Sequence, residues 1–146
     1  MPNRAMEFHD STFDGLDGDG ANLTLRFSAA YIHESEGEPA LDAGIVWFQE
    51  VRLHFANAST SGSMSELPCY LWDGRISLAG ESLQMIPVPL EHSGEVHLKL
   101  IENGDEVGGQ VEVTGTHVSL ELCGEPRHLK KFPGARKFEN ASTPSE

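Results

Sequence analysis

Short apolar/polar alternations, broken every few residues by Gly, Pro, Asn or Asp, run through nearly the whole chain and leave no stretch suited to a helical domain. Successive side chains of an extended strand fall on opposite faces of a sheet, so a period of two fixes architecture while saying nothing of chemistry. The expectation is an all-β fold, a single antiparallel β-sandwich or flattened barrel of about eight to ten strands. A chain of 146 residues can bury such a core without disulfides or a structural metal. The patterning assigns residues 1–132 to one all-β domain and leaves 133–146, poor in apolar side chains, as a disordered tail.

The segments differ in how sharply they are marked. Phe8 to Phe13 opens the domain, and Asp14 to Gly20 supplies turn residues before Leu23, Leu25 and Phe27 resume the alternation, which reads as a hairpin. Residues 33–43 read as a long acidic loop. In the next strand Ile45, Trp47, Val51, Leu53 and Phe55 share the core face, and Glu50, Arg52 and His54 the other. Residues 56–66, rich in serine, read as a flexible loop. Tyr70, Leu71 and Trp72 lead through Asp73-Gly74 into Ile76 and Leu78, a second hairpin signal. Pro87 and Pro89 place 83–90 at a sheet edge or in a surface connection, because proline cannot donate to a ladder. A type I′ turn at Asn103-Gly104 would pair Leu100 with Val107, Leu98 with Gly109 and Val96 with Val111. Past Val113 the apolar phase shifts to even positions, so Gly115 marks a turn or bulge.

Charge is uneven. Residues 1–126 hold 21 acidic against five basic side chains, a charge of −16, whereas 127–146 hold five basic against two acidic, or +3. An acidic body of this kind repels nucleic acid and anionic lipid, so neither is expected as a partner. The basic end is expected as a solvated tail that balances charge, with docking on the acidic body or on an acidic partner as the alternative. Cys69 and Cys123 lie far apart and outside any C-x-x-C spacing, and are expected as buried free thiols. No segment approaches the roughly 20 apolar residues of a membrane helix, and the first residues lack the apolar stretch of a secretory signal. A cytoplasmic location is the expectation.

The order of short motifs is similar to a known pattern: Phe8-His9-Asp10-Ser11 at the start, Asp73-Gly74, the Pro87/Pro89 segment, then Gly124-Glu125-Pro126-Arg127. The chain resembles a family of small uncharacterised bacterial all-β proteins whose first strand carries an F-H-D-S segment, some of them encoded near predicted toxin–immunity loci. The resemblance implies a bacterial source and an all-β fold, and it carries no activity to any residue.

Chemistry is weakly marked. His9, Asp10 and Ser11 have the residue types of a hydrolytic triad, but strand alternation puts His9 and Ser11 on one face and Asp10 on the other. The seven histidines include no H-x-H or H-x-x-x-H spacing, so no metal site and no cofactor is expected. Asp14, Asp17 and Asp19 resemble part of a calcium loop, yet Gly with Asp is also what a turn requires. Trp47 belongs to the core, whereas Tyr70 and Trp72 are candidates for exposed ligand contacts. No Gly-rich phosphate loop or G-x-S-x-G element is present. Three functions stay open. The first is a non-catalytic protein-interaction module, immunity-like if the resemblance holds, that binds a basic protein or a second copy of itself. The second is a small metal- or carboxylate-dependent enzyme centred on His9 and Asp10, with His33, His54 or His117 converging on them. The third is sugar or peptide binding by Tyr70 and Trp72.

Overall fold

The computed structural model describes residues 2–19, 21–103 and 109–135. Among them ten antiparallel strands form one sheet: β1 (Asn3–Phe13), β2 (Gly15–Asp19), β3 (Asn22–Ser35), β4 (Gly44–Ala56), β5 (Ser59–Ser63), β6 (Cys69–Leu78), β7 (Glu81–Leu83), β8 (Met85–Val88), β9 (Glu91–Glu102) and β10 (Gln110–Phe132). The order β2-β3-β4-β10-β9-β6-β1-β8 is joined by a further β1–β3 pairing, so that β3, β4, β10, β9, β6 and β1 close a ring. The fold is all-β and antiparallel, as the alternation requires. Met6, Phe8, Phe13, Leu25, Phe27, Leu53, Leu98 and Leu100 fill the interior. Trp47 joins this core, with its indole N–H donating to Gln49 Oε1 at 3.0 Å. No helix among the described residues is long and apolar enough to cross a membrane.

Several boundaries differ from the pattern-based reading, each for a physical reason. The Asp14–Gly20 segment is not a turn over its length, because Gly15 to Asp19 pairs with Arg26 to Asn22 as β2. Two of its aspartates find partners across the sheet: Asp17 Oδ2 accepts from Arg26 Nε at 2.8 Å, and Asp14 Oδ2 from the Ser28 N–H at 2.5 Å. Residues 33–35, expected in the acidic loop, continue β3 with His33 and Ser35 buried, so that loop spans 36–43. The serine-rich segment is also not a free loop. Ser59 to Ser63 continues the β4 register along β10, with Thr114 opposite Ser59 and Gln110 opposite Ser63. A backbone ladder needs no apolar face, which is why composition concealed this strand.

Asp73-Gly74 does not turn the chain; β6 runs through it, with a bulge between Leu71 and Asp73. Glycine is needed there for close approach, because a Cβ on Gly74 would lie 2.6 Å from Phe8 Cγ. The turn comes later, at Ala79-Gly80, where Leu78 faces Glu81 and both φ angles are positive, 52° and 88°. Such mirror-image turns match strand twist. β8 pairs with β1 alone, at the edge that Pro87 within it and Pro89 just after it require.

The β9–β10 register is four residues from the expected one. Leu100 faces Val111 and Leu98 faces Val113, while Glu102 N–H donates to Gly109 O at 2.9 Å. The connection therefore spans 103–108, of which 104–108, including the expected partner Val107, lie outside the described residues. A slip of four preserves the face of every side chain, and it sets two fully buried residues, Leu98 and Val113, against each other. A bulge at Gly115–His117 produces the phase shift seen in the sequence. Beyond Leu122 the strand continues to Phe132, so Arg127, Lys130 and Lys131 lie in the sheet opposite Phe48, Val46 and Ile45. Three of the five basic side chains of that end thus lie in a strand and not in a solvated tail; of the expected disordered tail, 133–146, residues 136–146 lie outside the described residues.

Both cysteines are free. Cys69 is buried, and desolvation pushes its thiol up to about 11, whereas Cys123 is half-buried.

Two outcomes follow from this packing. Gly74→Ala should destabilise the fold by about 1–3 kcal/mol by overpacking Phe8, and the cost should be smaller in a Phe8→Leu background, as urea denaturation of the four variants will read out. Glu102, buried at the end of β9, accepts from the Ser65 hydroxyl and from the Ser65 N–H at 2.7 Å. The Ser65 hydroxyl bond foremost holds its carboxyl below the ordinary 4.5. A lowered folded-state value stabilises fully above the unfolded one and is lost as pH falls through the folded one. Stability measured from pH 6 to pH 3 should therefore fall less steeply in Glu102→Gln than in the parent.

Candidate functional site

β1 does not run straight. Glu7 faces Tyr31 and Thr12 faces Ala29, so Phe8, His9, Asp10 and Ser11 together oppose Ala30 alone. Asp10 absorbs the bend with a φ of 73°, left-handed backbone that Asp tolerates better than most residues. The bulge sorts the four side chains: Phe8 and Ser11 are buried, and His9 and Asp10 stand on the outer face. Ser11 Oγ donates to the Glu7 carbonyl at 2.5 Å and accepts from the Tyr31 N–H at 2.9 Å, replacing the missing ladder bonds.

Alternation had placed His9 with Ser11 and Asp10 opposite; the bulge reverses this. His9 Nε2 lies 3.6 Å from Asp10 Oδ1, beyond a direct hydrogen bond. His9 Nδ1 lies 2.9 Å from the Trp72 carbonyl, and since a carbonyl only accepts, Nδ1 carries the proton. Ser11 is fully buried with both bonds committed to backbone, and it does not face His9 as a nucleophile would.

The other histidines are dispersed. His33, buried, contacts Glu7 Oε1 through Nε2 at 2.7 Å, and its Nδ1 has no hydrogen-bond partner among the described residues. His54 meets Glu121 at 2.8 Å, His97 meets Glu112 at 2.8 Å, and His117 lies 3.7 Å from Glu91. The bond from His54 foremost lowers the Glu121 carboxyl below its ordinary value. His33 thus reaches β1 through Glu7, whereas His54 and His117 do not join His9. Among the described residues no three His, Cys, Asp or Glu side chains converge as metal ligands would.

What does converge is a set of irregularities. β1 bulges at 8–11, β3 between Phe27 and Ala30, β6 between Leu71 and Asp73, and β10 between Cys123 and Lys130. Bulges re-aim side chains, and these border one outer face. Tyr70, opposite Thr12, is 68% exposed and Trp72 58% exposed. Trp72 meets the His9 ring edge-on at 5.2 Å, while Tyr31, Phe48 and His128 form a second row with centroids 4.9 and 6.5 Å apart. Burial, with the Glu7 and Asp10 charges, raises the Tyr31 phenol above its ordinary value. Arg127 donates to the Ser28 carbonyl at 2.6 Å. On one side of Trp72 lies a cleft of about 500 Å³, lined by Glu7, His9, Glu38, Asp73, Leu83 and Met85. Three of the four motifs behind the resemblance, Phe8–Ser11, Asp73-Gly74 and Gly124–Arg127, border this face. Neither Phe48 nor His128 is marked in the sequence, and Arg127 is marked only as the end of Gly124-Glu125-Pro126-Arg127, a bulge sequence inside what proves to be a strand.

Compared with protein-family models, with curated proteins and with solved structures, the chain matches none.

Ser11→Ala should cost about 1–3 kcal/mol, because it leaves the Glu7 carbonyl and Tyr31 N–H unpaired at a buried position. Chemical denaturation and amide exchange at Tyr31 will measure it; an unchanged stability would remove Ser11 from this structural role.

Proposed function

We propose that this protein is a non-catalytic protein-binding module that engages a basic partner through the face formed by Tyr70, Trp72, His9 and Asp10. One observation carries the reading. Two large aromatic side chains two residues apart in β6 are each more than half exposed, Tyr70 on a residue paired with Thr12 and Trp72 in the β6 bulge with its ring against His9. Tyr and Trp at such positions supply much contact area at little entropic cost and dominate binding energy at protein interfaces. Asp10, Asp73 and Glu7 beside them, on a body whose residues 1–132 hold 21 acidic against eight basic side chains, a charge of −13, would steer a basic protein over roughly a Debye length of 8–10 Å. A cytoplasmic immunity-like role, with a basic toxin as the partner, accords with the resemblance by analogy only.

Two competing readings have less behind them. The enzyme centred on His9 and Asp10 lacks an accessible nucleophile in Ser11 and has no converging second and third ligand among the described residues. A homodimer formed by edge pairing at β8 would meet Pro87 and Pro89, which offer no N–H donors.

The test is affinity capture from the native host at low and high ionic strength, with Trp72→Ala and Tyr70→Ala alongside the parent. Both substitutions should leave thermal stability within about 1 kcal/mol, as expected at exposed positions, and abolish capture. The captured protein should be basic and should associate more slowly as salt rises. Equal recovery by all three chains, or an association rate indifferent to salt, would sink the proposal.

A further inference from the structure

A second concavity lies on the other side of Tyr70, a pocket of about 250 Å³ lined by Asp10, Thr12, Phe48, Tyr70, Arg127 and His128. Two of these residues, on different strands, hold backbone that non-glycine residues seldom adopt: Asp10 at φ 73° and His128 at φ 58°. Each sits in a bulge, between Glu7 and Thr12 in β1 and between Arg127 and Lys130 in β10. Strained backbone of this kind persists where the surrounding structure enforces it, and it collects at ligand sites.

We propose that this pocket binds one neutral sugar ring, a pyranose. The lining chemistry selects among ligands. A simple anion would meet the Asp10 carboxylate, and a metal ion would meet the Arg127 guanidinium. An apolar ligand would strip water from both without replacing its hydrogen bonds. A pyranose has a C–H face that can lie on the exposed Tyr70 ring and a rim of hydroxyls that donate and accept. Asp10 only accepts and Arg127 only donates, so hydroxyls satisfy both. One Arg127 N–H group is already fixed by the Ser28 carbonyl, which orients the guanidinium before any ligand arrives. Thr12 adds a hydroxyl to the lining, and Phe48 an aromatic ring. The volume admits one ring. Trp72 takes no part in this pocket, whereas Tyr70 and Asp10 belong to both it and the protein-binding face, so Trp72→Ala separates the two readings.

The experiment is an NMR titration of the full chain with glucose, galactose, mannose and N-acetylglucosamine, with glycine and inorganic phosphate as charged comparisons. At least one sugar should give saturable shifts centred on Asp10, Thr12, Tyr70 and Arg127, with a millimolar Kd. Tyr70→Ala should weaken it by about tenfold, Tyr70→Phe should retain most of it, and Trp72→Ala should leave it unchanged. Asp10→Asn keeps a residue that tolerates the left-handed backbone, so its thermal transition should hold while sugar binding falls. Absence of saturable shifts with every sugar would overturn the proposal. So would binding of glycine or phosphate in place of sugar, or sugar binding indifferent to both Tyr70→Ala and Asp10→Asn.

Discussion

Two hydrogen bonds of one hydroxyl hold the corner where this sheet closes, since Ser11 Oγ joins the Glu7 carbonyl to the Tyr31 N–H across a gap that strand pairing leaves open. The gap is a consequence of topology. β1 pairs with β8 along Arg4 to Glu7 and with β6 at Thr12 and Phe13, while β3 stays on its other side throughout. A strand that changes neighbours must bend, and a bend at a bulge orphans backbone groups in the interior. Ser11 satisfies them from within, and Phe8 fills the inside of the corner against Gly74. The same bend lifts His9 and Asp10 outward, so the device that closes the ring also furnishes the face beside Tyr70 and Trp72.

Alternation identified what depends on alternation. The inward face of β4, with Trp47, Val51, Leu53 and Phe55, followed from a period of two, as did the phase change at Gly115. Register did not, because pairing Val111 with Leu100 or with Val96 buries the same side chains. Strands without an apolar face were equally hidden. β5 consists of Ser, Thr and Gly and is held by its backbone ladder, and β2 looked like a turn because edge strands tolerate Gly and Asp.

The candidate site was legible in part. Tyr70 and Trp72 stood out as large rings beside turn-forming residues, and both are exposed; Trp47, flanked by strand residues, is core. Asp10 was misplaced because left-handed backbone at a non-glycine residue leaves no mark in composition, and the same holds for His128. The place of Arg127, named in the sequence only as the end of a short motif, was hidden for a different reason. Its position depends on β10 continuing past Leu122, through a segment whose side chains are nearly all exposed and so carry no pattern.

The histidines show how a sheet can disperse metal-binding chemistry. His33 faces Ala5 and bonds Glu7; His54 faces Ser119 and bonds Glu121; His97 faces Thr114 and bonds Glu112; His117 faces Ser93 and lies near Glu91. Each glutamate stands two residues from the position directly opposite, on the same face of the sheet. Diagonal neighbours of this kind are about 7–8 Å apart in the backbone, within reach of two long side chains and too far for most others. The chain has 23 acidic side chains against ten lysines and arginines, so carboxylates outnumber those cations, and four glutamates among them meet an imidazole. Diagonal pairing gives each of these imidazoles one carboxylate across one ladder. A metal needs three or four ligands at one point, which requires a place where several strands turn inward together. In this sheet the strands bulge outward together, around Tyr70 and Asp10, and there the side chains that meet are aromatic rings, one carboxylate and one guanidinium.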